Sequence, residues 1–365
     1  MAARELFIGL MSGTSLDGVD AALVEFDAAS TRLIATNYSG FSPALRSELL
    51  ALQAKGNNEL HRAATLGNEL ARQFASAVSA LLVQDNLSPA AIRAIGCHGQ
   101  TIRHRPDAGY TVQIGNAALL AELTGISIVA DFRSRDIAAD GQGAPLVPAF
   151  HAALFGSETE HRVIVNIGGI ANLTDLPPHG AITGFDTGPG NLLLDLWTHR
   201  HQGTSYDHAG AWAQGGKVLD DVLRLMLAEP YFARRAPKST GRDGFNAAWL
   251  EQFSLGRAAA RDVQATLAEL TARSIADSIR QHCAEANQVY VCGGGAHNQF
   301  VLERVRGNLP GYRVKTTAAL GMDPDWVEAA AFAWLAKRTL DGKHGNLPEV
   351  TGARGARILG AVYPA

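Results

Sequence analysis

Two apolar strands joined by a polar, glycine-containing turn occur twice in this chain, and this repeat constrains the fold more than any other feature. The first copy, LFIGLMSGTSLDGVDAALVEF, spans residues 6–26, and the second, VIVNIGGIANLTDL, spans residues 163–176. A plain hairpin turn needs only two suitable residues. The first turn contains many more hydroxyl, glycine and carboxylate residues than that. Each copy is eventually followed by a predicted helix, strand and helix. The sequence therefore predicts a duplicated structural unit.

The elements between these copies alternate in type. Apolar residues spaced three and four apart predict a helix over residues 58–84, and further helices are expected around 216–228 and 258–283. Apolar runs such as ISIVADF and QVYVCGGG predict buried strands. Because alternating strands and helices are typical of the α/β class, we expect two similar α/β domains with a cleft between them.

No Gly/Ser-rich or Pro-rich linker separates the two predicted domains. The segment DIAADGQGAPLVP, residues 136–148, is the best candidate for the crossing. We therefore expect a first domain over residues 1–140 and a second, nucleotide-binding domain over residues 141–365. The tail, about 345–365, has loop character and could pack back onto the first domain.

Composition and charge exclude several classes of protein. The 365 residues are 47% hydrophobic with a net charge of −3, which suits a large core and gives no basic field for nucleic acid. No run of about 18 apolar residues occurs, so we expect no membrane span, and MAARELFIGLM does not fit a signal peptide. Cys97, Cys283 and Cys292 form no Cys-x-x-Cys pair. That pattern indicates reduced thiols in a cytoplasmic protein.

The first turn has the composition of an anion-binding loop. Consecutive backbone N–H groups in a glycine-rich turn can point at one anion, and hydroxyl side chains add further donors. A polyphosphate fits these donors, and an ordinary tight hairpin is the alternative. The spacing matches neither the Walker A loop nor the Rossmann glycine pattern. The residues predicted to bind phosphate here are Gly13, Thr14, Ser15, Leu16, Asp17, Gly18, Val19 and Asp20.

Three further glycine clusters occur in the second half, in NIGGIAN, GFDTGPGN and VCGGGAHN. Glycine normally weakens a strand, so a ligand that approaches the backbone closely, or a bulge, would explain its presence there. Three consecutive glycines would also let a planar ring lie flat against the backbone. The residues predicted to bind nucleotide here are Asn166, Gly168, Gly169, Asn172, Gly188, Gly190, Asn191, Gly293, Gly294 and Gly295.

Asp186 ends a predicted strand, and Asn191 then opens a helix after a turn over residues 187–190. A helix N-terminus attracts anions, and a carboxylate placed just before it can face a phosphate-bearing ligand. Asp186 could then act as a general base on a substrate within about 3 Å. The alternative is a structural turn or cap residue.

Further candidates lie at strand ends of the first half and on one late helix. His98, in CHGQT, and Arg133, in ADFRSRD, follow apolar strands, and ligands of α/β sheets bind beyond the carboxyl ends of strands. A histidine there can also be a purely structural group, whereas an arginine can hold a carboxylate through two hydrogen bonds. Glu328 is the only charged residue in WVEAAAFAWLA, and it could face a cleft or solvent.

Taken together, GLMSGTSLDGVD, CHGQT, ADFRSRD, GQGAPLVP, NIGGIAN, FDTGPGN and CGGGAHN resemble the motifs of the 1,6-anhydro-N-acetylmuramic acid kinase family, within the actin, Hsp70 and sugar-kinase superfamily. The match runs from residue 8 to about 335. The resemblance implies two related actin-like (ribonuclease H-like) domains with the active site in the cleft between them. It also implies a cytoplasmic homodimer of bacterial cell-wall recycling that uses ATP and Mg²⁺ and acts on a small-molecule sugar.

The family opens the anhydro ring with water and phosphorylates O6, which yields N-acetylmuramic acid 6-phosphate and ADP. The resemblance implies that Asp186 activates the water and that the loop from Gly13 to Asp20 holds the ATP phosphates. Arg133 would suit the lactyl carboxylate of the sugar, and His98 and Glu328 would hold hydroxyl or amide groups.

The sequence does not identify the metal ligands. Many sugar kinases of the superfamily carry an aspartate two residues before the first loop glycine, where this chain has Met11. Asp17, Asp20 and Asp186 are the candidates, and the sequence does not choose among them.

Three other functions remain as alternatives. A nucleotide-driven binding module of the same fold would not need a strand-end aspartate or the His98 and Arg133 pair. A kinase of a neutral hexose would offer Arg133 no carboxylate. A degenerate enzyme is disfavoured because the motifs are intact.

Overall fold

The structure, a computed structural model, describes the chain in five stretches, residues 4–13, 15–27, 30–236, 238–242 and 244–365. They fall into two compact units. The first runs up to Phe150 and includes Trp326–Ala365, and the second is His151–Asp325. The sequence predicted a boundary at residue 140 and the return of about residues 345–365, whereas this division ends the first run at Phe150 and returns the chain from Trp326. The return starts earlier because the helix Val327–Leu340 also packs on the first sheet.

The first unit is one mixed sheet with helices beside it. Its strands are β1 (Glu5–Ser12), β2 (Gly18–Phe26), β3 (Thr31–Gly40), β4 (Ile92–Arg105), β5 (Tyr110–Ile114), β6 (Ile128–Ala130) and β12 (Ala361–Tyr363). Its helices are α1 (Pro43–Leu52), α2 (Glu59–Gln84), α3 (Ala117–Thr124), α4 (Ser134–Ile137), α12 (Val327–Leu340) and α13 (Pro348–Thr351). The strand order is β12–β6–β4–β1–β2–β3, and β5 pairs with β4.

The second unit has its own mixed sheet, with the order β11–β10–β7–β8–β9. Helix α5 (Val147–Phe155) contains the point where the chain passes into this unit. The strands are β7 (Arg162–Ile167), β8 (Ile170–Leu176), β9 (Thr183–Pro189), β10 (Gln288–Cys292) and β11 (Arg313–Thr316). The helices are α6 (Leu192–Gln202), α7 (Ala211–Gln214), α8 (Asp220–Leu227), α9 (Ala247–Glu251), α10 (Ala260–His282) and α11 (Gln299–Asn308).

The two sheets repeat one pattern of order and direction. The order β3–β2–β1–β4–β6 in the first unit corresponds to β9–β8–β7–β10–β11 in the second. In each, the first three strands of the repeat are antiparallel neighbours, and the next two run parallel to the central strand. The two units are therefore copies of one α/β arrangement. The predicted α/β class and the predicted duplication are confirmed.

The predicted helices agree closely with the structure, and one predicted turn is wrong. Helix α2 matches the pattern over residues 58–84, and α10 and α8 match the two later patterns, although α8 begins only at Asp220. The turn expected over residues 187–190 is largely strand. Strand β9 continues to Pro189 because its pairing with β8 persists to that residue. Asp186 therefore lies inside a strand rather than at its end.

Two glycines allow helix α12 to pack closely on the first sheet. A Cβ added at Gly9 would lie 1.7 Å from the carbonyl oxygen of Ala329, and one at Gly96 would lie 1.9 Å from that of Phe332. Both glycines occupy central strands, β1 and β4, where any side chain would hold the helix away. This close approach places α12, and Glu328 with it, in the first unit.

Each unit has a separate hydrophobic core. In the first, the buried face of α2, with Leu70 and Phe74, packs with Ile8 of β1. In the second, α10 supplies Leu267 and Ile275 and is buried along most of its length. Within the described stretches of the chain, no helix is both long and apolar enough to cross a membrane.

Candidate active site

In the first unit, the predicted phosphate loop joins β1 to β2. Thr14 lies outside the described residues. A Cβ added at Gly13 would meet only Ser15 Oγ, at 3.7 Å, among the described atoms within 4 Å. Leu16 has a φ of 57° with its side chain 2% exposed, so a buried apolar residue anchors the turn. Ser15 donates to Asp17 Oδ1 at 2.8 Å, and both side chains are exposed. The turn thus presents open backbone and exposed polar groups.

The last residues of the predicted loop belong to β2 itself. A Cβ added at Gly18 would lie 2.4 Å from the carbonyl oxygen of Ser39, so pairing with β3 requires glycine there. Val19 is fully buried, and Asp20 is paired with the end of β1. The predicted phosphate contacts of these three residues are not tested by this geometry and stay predictions.

Gln100 ties this loop to strand β4. Its side chain is fully buried. Its Nε2 donates to the carbonyl oxygen of Gly13 at 3.1 Å, and its Oε1 lies 2.6 Å from Ser12 Oγ. Ser12 Oγ is also 2.9 Å from the carbonyl oxygen of Gly18, so its hydroxyl can donate to either acceptor. One buried amide therefore braces the start of the loop.

His98 and Arg133 form a directly bonded pair beside the loop. Arg133 donates from Nε at 3.2 Å and from Nη2 at 2.9 Å to His98 Nε2. His98 Nδ1 is 2.8 Å from the carbonyl oxygen of Gly99, which assigns the ring proton to Nδ1. Burial first, and then the Arg133 charge, lowers the pKa of His98 to about 3. His98 is therefore neutral and serves as an acceptor for the guanidinium.

The rest of the Arg133 environment keeps the guanidinium charged and fixed. Its Nη1 donates to the carbonyl oxygen of Gly143 at 2.8 Å. Burial lowers the pKa of Arg133 to about 10, while the charges of Glu328 and Asp136 raise it. The sequence-predicted group of His98, Arg133 and Glu328 is thus brought together within the first unit.

In the second unit, the glycine clusters converge at the carboxyl ends of the parallel strands β7 and β10. Gly293 has a φ of 78°, and a Cβ there would lie 2.2 Å from Asn166 Oδ1. A Cβ at Gly295 would lie 2.3 Å from the Ile167 side chain. These two glycines allow close packing of backbone on β7. At Gly294, by contrast, a Cβ would meet only Asn191 Nδ2, at 3.9 Å, among the described atoms.

The start of α6 packs against the turn between β7 and β8. The N–H groups of Gly190 and Asn191 donate to the carbonyl oxygens of Gly169 and Gly168, at 2.9 and 2.8 Å. A Cβ at Gly190 would lie 2.3 Å from the Gly168 oxygen, so glycine is needed for this packing. Because these two amides are occupied, a phosphate contact at Asn191 would have to come from its side chain. The predicted role of Gly190 as a phosphate ligand stays a prediction.

Two other predicted nucleotide residues lie along β8 and β9. Asn172 pairs with Asp186 across the two strands. Gly188 has a φ of 149°, and a Cβ there would lie 2.6 Å from the Phe232 ring. The glycine thus makes room for an aromatic ring, and its predicted contact with nucleotide is not tested by this packing.

Asp186 is held by a segment that follows it by about fifty residues. Its N–H donates to the carbonyl oxygen of Lys238 at 3.1 Å, and its carbonyl oxygen accepts from Tyr231 Oη at 2.7 Å. The Thr240 N–H donates to Asp186 Oδ2 at 3.0 Å. Burial raises the pKa of Asp186 to about 6, and the Thr240 amide and the Lys238 charge act against that rise. A carboxylate with a pKa near working pH suits a general base.

No group of three or more His, Cys, Asp or Glu side chains within the described part of the chain is arranged to hold a metal ion by itself. Among the candidate metal ligands, Asp17 is an exposed loop residue and Asp20 belongs to β2.

Comparison with known proteins agrees with these motifs. A family model described as anhydro-N-acetylmuramic acid kinase matches residues 5–365. The chain belongs to the anhydro-N-acetylmuramic acid kinase family. A protein of that name from Thiobacillus denitrificans is 57% identical over 99% of this chain and 98% of its own length. Relatives of the same name from Nitrosospira multiformis and Nitrosomonas europaea are 55% and 53% identical, each over 98% of this chain and 99% of their own.

Membership of the anhydro-N-acetylmuramic acid kinase family confirms the resemblance seen in the sequence motifs. The relatives match along their whole length, so both units of this chain belong to the family pattern. The activator of 2-hydroxyisocaproyl-CoA dehydratase from Clostridium difficile is a more distant match, with 12% identity over 92% of this chain and 97% of that chain, and a TM-score of 0.47. The family assignment therefore rests on the sequence relatives.

Sequence reasoning missed the residues that support the predicted site. They are Tyr231, Lys238, Thr240 and Thr271. Thr271 Oγ1 lies 3.0 Å from the carbonyl oxygen of Gly190, at the start of α6. The polar stretch PKSTGRDG indicates a loop, but the sequence alone does not show that this loop contacts Asp186 in β9.

Proposed function

We propose that this chain is an ATP-dependent kinase that opens the 1,6-anhydro ring of anhydro-N-acetylmuramic acid with water and phosphorylates O6. The products would be N-acetylmuramic acid 6-phosphate and ADP. The setting we propose is bacterial cell-wall recycling in the cytoplasm, with the chain acting as a homodimer. Family membership and relatives that carry this name at 53–57% identity support the proposal.

The proposed reaction adds one water oxygen to C1 of the sugar and one phosphoryl group from ATP to O6. A water molecule gives a proton to the Asp186 carboxylate, and its oxygen forms a bond to C1 of the sugar. The bond between C1 and O6 breaks, which leaves O6 as the nucleophile. O6 then bonds to the γ-phosphorus of ATP as the bond between that phosphorus and the β–γ bridging oxygen breaks, and ADP leaves. Positioning and charge neutralisation supply most of the rate of such a phosphoryl transfer.

The proposal rests mainly on the orientation and the pKa of the Asp186 carboxyl group. Its Oδ2 accepts from the Thr240 amide, which orients the carboxyl group, and burial raises the pKa of Asp186 to about 6. A base of that strength is ionised at neutral pH and still accepts a proton readily.

The two nucleotide-binding regions suit a polyphosphate ligand. Gly13 and Gly294 leave the space beside their backbone open, and the buried Asn166 Oδ1 has no hydrogen-bond partner among the described groups. Mg²⁺ typically binds one or two carboxylates together with substrate phosphates. Asp17 and Asp20 are carboxylates of the right chemistry to help hold it, and the ion would neutralise phosphate charge.

We assign sugar binding to the first unit. Arg133 is a fixed, charged guanidinium, and a carboxylate such as the lactyl group of a muramic sugar is its natural partner. His98 orients that guanidinium, and Glu328 is close enough to influence its charge. Glu328 could also accept hydrogen bonds from sugar hydroxyls or the acetamido N–H.

The test uses purified protein, MgATP and anhydro-N-acetylmuramic acid in ¹⁸O-labelled water. ADP release is followed with time, and the label is located by mass spectrometry. We expect one ¹⁸O at C1 of a 6-phosphorylated product. We expect Asp186→Asn to lower the rate by about 10²–10⁴-fold, the usual contribution of a general base. Asp220→Asn, an exposed carboxylate at the start of α8, is the matched control and should keep the rate.

The outcomes separate the parts of the proposal. Absence of sugar-dependent ADP release by the wild-type chain would refute the kinase assignment for this sugar, and a neutral hexose would be tested next. A wild-type rate in Asp186→Asn would leave the kinase standing and refute the role of Asp186.

A further inference from the structure

One segment of the first unit, residues 136–143, lies between the candidate sugar site and the tail. We call it the GQG segment, because it contains Gly141, Gln142 and Gly143 of the motif GQGAPLVP. The proposed function gives this motif no role. The GQG segment and the tail both belong to the first unit, so their contacts lie within one compact body.

Asp136 is a fully buried residue at the start of the GQG segment. Its Oδ1 accepts from Asn346 Nδ2 at 2.6 Å and from Thr351 Oγ1 at 2.7 Å, and both of these residues are in the tail. Its Oδ2 accepts from the Gly143 N–H at 2.8 Å. Burying a carboxylate costs free energy unless hydrogen bonds replace those to water, and these three donors do so. One side chain therefore joins the tail to the far end of the GQG segment.

The backbone of the GQG segment is fixed by the same neighbours. The Gln142 N–H donates to the carbonyl oxygen of Thr351 at 2.7 Å. A Cβ added at Gly141 would lie 2.1 Å from Asp136 Oδ2, so only glycine fits beside the carboxylate. Gly143 has a φ of 66°, a conformation that favours glycine. The two glycines and the tail together set the path of this segment.

Gly143 passes the restraint on to Arg133. Asp136 holds the N–H of Gly143, and the carbonyl oxygen of Gly143 accepts from Arg133 Nη1 at 2.8 Å. The other described contacts of the guanidinium, from Nε and Nη2, both go to His98 Nε2. Gly143 is therefore the second point that fixes the orientation of the guanidinium plane. A guanidinium has five N–H donors, so N–H groups remain for a ligand on this half-buried side chain.

We propose that Asp136 is a positioning residue for Arg133, and that Asn346 and Thr351 of the tail support the sugar site through it. The inference rests on the proposed function, in which Arg133 binds the lactyl carboxylate of the sugar. An arginine binds a carboxylate best through two parallel hydrogen bonds, and that geometry tolerates little rotation of the guanidinium. The tail would thus contribute to sugar affinity by fixing Gly143.

The experiment compares Asp136→Asn with Asp140→Asn. Asparagine has nearly the shape of aspartate, but its NH₂ group must face a donor whichever way the amide is turned, because Gly143 and the tail both donate to this position. The replacement therefore breaks the link between the tail and Gly143. Asp140 lies in the same segment and forms an exposed ion pair with Arg354 of the tail at 2.8 Å. Its replacement is the matched control, since an exposed pair contributes little.

The orientation of Arg133 is observed by NMR on protein with ¹⁵N-labelled arginine side chains, without sugar or ATP. The Arg133 Nε signal is identified by its loss in Arg133→Lys. We expect this signal to be sharp in the wild-type chain and in Asp140→Asn. In Asp136→Asn it should shift, and its proton should exchange with solvent about tenfold faster, the usual effect of losing one hydrogen bond.

Steady-state assays then separate sugar binding from catalysis. In Asp136→Asn the KM for the anhydro sugar should rise about 5–20-fold, less than the ~10²-fold loss that a misplacement of about 1 Å can cause, because the bonds to His98 remain. The kcat and the KM for ATP should stay near wild type. In an Arg133→Lys background, Asp136→Asn should raise the sugar KM by less than about twofold, because residues that act through one another are not additive.

A second pair of variants covers the case in which Asp136→Asn fails to fold. Thr351→Val removes one donor to Asp136 at nearly the same volume, whereas Thr351→Ser keeps the hydroxyl. Thr351→Val should show the same changes to a smaller degree, and Thr351→Ser should restore the wild-type Arg133 signal and sugar KM. Identical behaviour of these two variants would contradict the inference.

Two results with Asp136→Asn would overturn the inference. One is an unchanged Arg133 Nε signal. The other is a rise in the sugar KM that is just as large in the Arg133→Lys background, which would indicate a merely structural carboxylate. If the wild-type chain shows no sugar-dependent turnover, the proposed function fails, but the Nε signal still decides whether Asp136 positions Arg133.

Discussion

Replacing Gly9 with alanine tests how the first unit couples its fold to its site. Gly9 lies in β1, and α12 passes so close that an added Cβ would be 1.7 Å from the carbonyl oxygen of Ala329. Contacts of a Cβ essentially never fall below 3.0 Å, so the helix must withdraw by about 1.3 Å, the difference between these distances. The neighbouring backbone cannot rotate away as a side chain could.

The size of the effect follows from that displacement. Overpacking a well-filled interior costs about 1–3 kcal/mol, and we expect the upper end because the atom displaced belongs to the backbone. Glu328 directly precedes Ala329 on α12, so the same shift moves a residue of the candidate sugar site. A misplacement of about 1 Å can lower activity by up to about 10²-fold. Gly9→Ala should therefore lose stability and kcat/KM together.

The assay is urea denaturation followed by circular dichroism, with sugar-dependent ADP release measured on the same preparations. Gly307→Ala is the control, because Gly307 lies in α11 and an added Cβ would meet nothing among the described atoms within 4 Å. It should be neutral or gain up to about 1 kcal/mol, since alanine favours a helix over glycine. An unchanged urea midpoint and kcat/KM in Gly9→Ala would refute the reasoning.

Two further predictions concern acid stability and sugar affinity. Burial lowers the pKa values of His98 and His151 from 6.5 to about 3, so both rings are neutral in the folded chain while the unfolded chain takes up protons below pH 6.5. The two rings should therefore leave the free energy of unfolding unchanged above about pH 6.5 and lower it toward pH 3, by up to ~1.4 kcal/mol per pH unit for each ring. Urea midpoints measured between pH 7.5 and 5 test this dependence. The same change of midpoint with pH in His151→Gln as in the wild-type chain would contradict it. Arg133→Lys keeps the positive charge but loses the planar guanidinium that binds His98 and Gly143. The KM for the anhydro sugar should therefore rise about tenfold or more, with little change in the KM for ATP. Equal sugar KM values for Arg133→Lys and the wild-type chain in steady-state assays would contradict the role of Arg133 in binding the sugar carboxylate.

Local patterns predicted most of the fold. The spacing of apolar residues identified α2 and α10, and the two copies of a strand, polar turn and strand indicated duplicated sheets. These predictions succeed because helix and strand periodicity is a property of neighbouring residues. The extent of β9 was missed, since strand length depends on how far β8 continues to pair with it.

The candidate site was only partly predictable for the same reason. The motifs indicated Asp186 and the glycine clusters, and the structure packs Gly293 against Asn166 and Gly295 against Ile167. It also separates two uses of glycine that the sequence cannot distinguish. Gly190 is needed because another backbone passes through the space of its Cβ, whereas the space beside Gly294 is open.

The sequence by itself determined the α/β class, the duplication and the family, because each of these is written in the order and spacing of residues along the chain. Only the tertiary structure decided that α12 belongs to the first unit, that His98 is a neutral acceptor for Arg133, and that Tyr231, Lys238 and Thr240 surround Asp186. The protonation of a carboxyl group depends on burial and on charges within a few ångströms. Those neighbours lie about fifty residues away in sequence, and folding alone makes them adjacent.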